Sequence, residues 1–86
     1  MNIDETLFAK WKDKYLPGDF TLIPAFAKEF GYHAPTLPTI TNVFNTGRAS
    51  EKIRKTITAF YEGGREAYIK VRDEREAKEA REKFTN

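Results

Sequence analysis

Ile40-Thr41-Asn42-Val43-Phe44-Asn45-Thr46-Gly47-Arg48-Ala49-Ser50-Glu51-Lys52-Ile53-Arg54 is the stretch whose reading decides the fold. Ile40, Val43 and Phe44 recur at helical spacing, Thr46-Gly47 breaks the chain, and Ser50 caps a second helix. A short helix with Thr39, Thr41, Asn42 and Asn45 on its open face therefore runs into a basic one. Upstream, Leu22, Ile23, Phe26, Ala27 and Phe30 form the buried face of another helix, which ends at Gly31. Asp19 or Thr21 is its expected cap. Pro24 lacks an amide donor and belongs in its first turn. Residues 32–38, with Pro35 and Pro38, form a turn in which Thr36 or Leu37 takes the cap position and Pro38 opens the next helix.

Further out, Ile3, Leu7, Phe8, Trp11 and Tyr15 predict a first helix over residues 4–16, capped by Asp4 and stopped by Pro17-Gly18. Its lysines at 10, 12 and 14 lie off that stripe. After Ser50, Ile53, Ile57, Phe60 and Tyr61 point inward while Lys52, Arg54 and Lys55 point outward. Gly63-Gly64 interrupts this helix. Residues 65–84 then carry thirteen charges. Pairs such as Glu66/Lys70, Glu74/Lys78 and Arg75/Glu79 fit a solvated helix, each worth only about 0.2–0.5 kcal/mol. Its thin apolar stripe is Tyr68, Val71, Ala77, Ala80 and Phe84. It serves either for pairing with a second copy or for folding back, with Tyr68 and Val71 over the first helix. The expected fold is all-α: four to five helices in a compact domain with a helix-turn-helix core. Residues 1–64 form that core, and residues 65–86 are a charged C-terminal helix extending the same domain.

The chain has 86 residues, 40% of them hydrophobic, with seven Phe, four Tyr and one Trp. That suffices for one small core. Without cysteine and with a single histidine, thiolate and zinc sites are excluded, and neither metal nor cofactor is expected. No apolar run approaches the roughly 20 residues of a membrane span, and Met1 to Asp4 does not resemble a secretion signal, so a cytoplasmic protein is expected. The formal charge of +2 is unevenly spread. Residues 1–47 hold four Lys against five Asp or Glu, whereas residues 48–86 hold eleven basic against eight acidic groups. Arg48, Lys52, Arg54 and Lys55 face a single acid, Glu51, and form the best phosphate-binding stretch.

A helix that enters the major groove of DNA needs a hydrophobic platform behind it and short polar side chains in front. The helix around residues 39–45 meets these needs. Asn42 or Asn45 can bond adenine through N6 and N7, and the methyls of Thr39 and Thr41 can meet thymine methyls. Arg48, Lys52, Arg54 and Lys55 then hold neighbouring phosphates, which sets position and not sequence preference. An enzyme is not expected. His33 sits in a proline-bracketed turn, the only serine is a helix cap, and Gly63-Gly64 lacks the pattern of a phosphate loop.

From Ile40 to Ile57 the chain resembles the DNA-binding headpiece of the lactose-repressor family. The residues that carry the likeness are Ile40, Thr41, Asn42, Val43, Phe44 and Asn45, then Ser50, Glu51 and Arg54. More loosely, residues 19–62 are similar to the helix-turn-helix of phage repressors, with Ala27 where two helices cross and Gly31 at the turn. The resemblance implies sequence-specific binding to double-stranded DNA by a small transcriptional regulator, commonly a dimer on a two-fold site. The competing expectation is a protein-interaction module, such as a small phage or mobile-element regulator that acts through its C-terminal helix. In that case residues 39–45 are scaffold.

Overall fold

A computed structural model describes residues 3–84, with Phe84 described in its backbone only, so the last position of the expected apolar stripe lies outside the described side chains. The fold is all-α, with α1 (Glu5–Lys14), α2 (Asp19–Phe30), α3 (Leu37–Thr46), α4 (Glu51–Ala59), a π-type turn at Phe60–Gly64, and α5 (Arg65–Phe84). Among the described residues no helix is long and apolar enough to cross a membrane.

Three helix starts follow from local chemistry. The Asp4 carboxylate accepts from the Thr6 amide at 3.1 Å, the Thr36 hydroxyl from the Thr39 amide at 3.4 Å, and the Ser50 hydroxyl from the Ile53 amide at 3.3 Å. Each satisfies an amide that the helix itself leaves unpaired, worth about 1 kcal/mol.

The start of α2 differs from expectation. Asp19 is the first residue of the helix, preceded by Gly18 in the left-handed conformation, and its side chain is wholly buried. That carboxylate accepts from the Leu16 amide at 2.9 Å, the Tyr61 hydroxyl at 3.1 Å and Arg65 Nε at 2.9 Å. Two further corrections follow. Because α2 begins at Asp19, Pro24 falls in the second turn, where it offers no amide to the Phe20 carbonyl. And α1 stops at Lys14, short of residue 16, because Tyr15 is already extended and the Leu16 amide is drawn to Asp19.

The core is built from Trp11, Ile23, Phe26, Ile40, Val43, Ile53, Ile57 and Phe60, so every helix from α1 to α4 contributes. Between α4 and α5 the backbone leaves helical geometry at Glu62 and Gly63, the latter at φ 102°. Gly64 serves a different purpose: a Cβ there would stand 2.5 Å from the Phe26 ring, so its absence lets α5 close onto α2.

The first half of α5 lies along α2, with Tyr68, Ile69 and Val71 half-buried. The tail thus folds back onto α2, and Tyr68 packs against the core. Arg75 reaches Glu29 on α2 at 2.7 Å in place of its expected partner Glu79. Residues 73–83, Ala77 and Ala80 included, are exposed. The far end of α5 therefore continues past the packed body, and the molecule measures 54 × 21 × 18 Å.

Candidate nucleic-acid interface

α3 has ten residues, none of them charged. Ile40 and Val43 are buried, and Phe44 is seated among four other rings. Its centroid lies 4.9 Å from Phe20, 6.1 Å from Phe8, and 6.3 Å from both Trp11 and Tyr15. Rings from α1, α2 and the segment joining them thus form a platform under α3. At 100° per residue the opposite side carries Pro38, Thr41, Asn42 and Asn45, all exposed. Thr39 is exposed at the margin of that face, and its hydroxyl lies 2.9 Å from that of Thr36.

The end of α3 is tied to the loop that follows. Thr46 Oγ1 donates to the Asn42 carbonyl at 2.8 Å and accepts from the Arg48 amide at 3.2 Å. Gly47, at φ 70°, takes the left-handed turn, and its carbonyl accepts from the Ile3 amide at 2.9 Å. The position of Arg48 is therefore fixed through its backbone, not left to a free loop.

The four expected phosphate ligands do not form one ridge. Arg48 and Lys52 are exposed, with no ion pair among the described residues. Lys55 lies 3.6 Å from Glu51, an exposed pair of small energetic weight. Arg54 is half-buried and lines a shallow groove with Leu7, Tyr32 and Thr58. The two sides of α4 part them: Lys52 and Arg54 stand about 200° apart around the helix. On the Lys52 side, the buried Thr56 donates to the His33 carbonyl at 2.8 Å, binding the turn before α3 to α4.

One cation escaped the sequence reading. Lys12 Nζ stands 4.6 Å from the centre of the Phe8 ring, and Lys12 borders a groove with Tyr15, Phe20 and Phe44. The same Phe8 ring lies 3.4 Å from where a Cβ on Gly47 would be. Lys12 is thus placed on α1 beside the base of α3, and Phe8 stands between it and the loop carrying Arg48. Its position off the apolar stripe of α1 was legible. Its nearness to α3 depends on the Phe8–Phe44 contact, which no local pattern encodes.

Among the described residues, no group of three or more His, Asp or Glu side chains is placed to hold a metal ion. Among the described residues the one clear shift in proton affinity belongs to Tyr61, in the π-type turn after α4. Its hydroxyl is held well above the ordinary value of 10.0, first by burial and then by the charge of Asp19. Comparison with protein-family models, with curated proteins and with solved structures gives no match to this chain.

Proposed function

We propose that this chain binds double-stranded DNA in a sequence-specific manner, as a small transcriptional regulator of the helix-turn-helix kind. In this reading α3 lies in the major groove and Asn42 and Asn45 face base edges, while Arg48 and Lys52, joined by Lys12, hold phosphates. The single observation that carries it is the uncharged, exposed polar face of α3, backed by rings and bordered by cations without acidic partners. A helix about 10–12 Å across matches a groove about 12 Å wide. The likeness to repressor headpieces over residues 40–57 agrees with this docking, whereas the connection between α2 and α3 departs from the motif. That connection, at residues 31–36, is longer than the 3–4 residues usual in such motifs. DNA as partner also favours the cytoplasm as the location.

Titration of the purified chain into mixed-sequence duplex tests the reading. Three neutralised phosphates per chain predict roughly 40-fold weaker binding at about 200 mM salt than at about 50 mM. Absence of binding at the lower salt overturns it. A second reading has its own observation: residues 73–83 of α5 are exposed and continue beyond the body. There α5 binds a partner chain or a second copy, and α3 is scaffold. A solution mass that stays monomeric at all concentrations counts against pairing through α5.

A further inference from the structure

The exposed side chains of α3 are divided along its length. Its first turn shows apolar groups to solvent, whereas the later turns show the carboxamides of Asn42 and Asn45. Leu37, at 52% exposure, is the most exposed large hydrophobic side chain among the described residues, and Pro38 beside it is exposed as well. Thr41 stands one turn after Leu37 and Asn45 one turn after Thr41, so the three form a row along the helix. The hydroxyls of Thr36 and Thr39 are already 2.9 Å apart, which commits their polarity locally.

These features select among bases. Guanine is most often read by Arg or Lys, which take its O6 and N7, and α3 has neither. Thymine offers the one apolar group in the major groove, its C5 methyl, and adenine offers the donor and acceptor that a carboxamide matches. The surrounding cations, Lys12, Arg48 and Lys52, lie on α1, the loop and α4, where they suit phosphates. Resting on the docking proposed above, we infer that Leu37 and the γ-methyl of Thr41 determine specificity by packing on thymine C5 methyls. The sites bound are then A·T pairs, with Asn42 and Asn45 on adenines. An exposed leucine at the first turn of α3 gains a function: thymine methyls in the groove remove its apolar surface from water.

The test uses the full chain and duplexes chosen by it from a random library. Those duplexes are expected to share A·T pairs at their centre. Each is then remade with deoxyuridine in place of single thymidines, which removes one methyl and nothing else. One or two such replacements are expected to weaken binding about fourfold each, the value of one buried methyl-sized group. Leu37→Ala and Thr41→Ser, the latter keeping its hydroxyl, should each abolish the effect at one position and leave the far-ultraviolet circular dichroism unchanged. Chosen sites built on G·C pairs overturn the inference, as does equal affinity for thymine and uracil duplexes. Uracil effects that persist in both variants overturn the assignment to Leu37 and Thr41. In all three cases salt-sensitive duplex binding persists, so the DNA reading stands. If no duplex binds even at about 50 mM salt, both fall.

Discussion

Asp19 joins the nearby Leu16 amide to two groups distant along the chain, Tyr61 in the π-type turn after α4 and Arg65 at the start of α5. A buried carboxylate is tolerated only when donors replace its water. Asp19→Ala removes the acceptor and leaves the Arg65 guanidinium, itself largely covered, without its partner. The expected loss is about 3 kcal/mol in urea unfolding. Tyr61 adds a dependence on pH. Its folded form keeps the proton above 10.0, where an unfolded tyrosine releases it, so its contribution is whole below that pH and is lost as pH rises further. Above about pH 10 this group should erode stability by up to about 1.4 kcal/mol per pH unit. Tyr61→Phe should start less stable at neutral pH and show a shallower alkaline decline. Equal slopes in the two proteins would refute the assignment. From sequence, Asp19 reads as a helix cap because an acid before an apolar run is a local signal. Tyr61 and Arg65 stand 42 and 46 positions away, beyond the reach of such a signal.

At the level of the helix, α3 shows what local sequence specifies. Its start at Thr36, its stop at Gly47 and its inward Ile40 and Val43 are all legible, since caps and helical period act within a few residues. The same holds for Asp4 and Ser50. The end of α1, the second-turn place of Pro24 and the division of Lys52 from Arg54 depend on packing between helices, and so needed the structure. Lys12 belongs with these. For α3 itself, replacing Asn42 and Asn45 together by Ala touches only exposed side chains, so stability should change by less than about 0.5 kcal/mol. Under the proposed function, selection from a random duplex library should lose its preferred site while non-specific binding persists. Unchanged site selection would remove these residues from their role.

Across the whole molecule, charge and shape are separated. The radius of gyration is 14.9 Å, against about 12 Å for a compact chain of this length, because α5 extends past the body. Nine of the 28 charged residues sit on that extension, where acids and bases alternate, while α3 carries none and Lys12 stands beside its Phe44 ring. Arg48→Ala and Lys12→Ala are each expected to reduce the slope of log affinity against log salt by about 1, whereas Lys78→Ala on α5 leaves it as it was. A slope that answers to Lys78 and not to Arg48 would move the binding surface to α5.

The only tryptophan, Trp11, is 1% exposed and packs 6.3 Å from Phe44, the ring on which α3 rests. The protein thus contains its own optical reporter, one layer of side chains beneath the face proposed to meet DNA. Its indole fluorescence should be blue-shifted in the folded chain and move to the red only when the aromatic platform opens. A ligand that seats on α3 without disturbing the platform should leave the emission maximum in place, so one unlabelled spectrum can distinguish docking from denaturation.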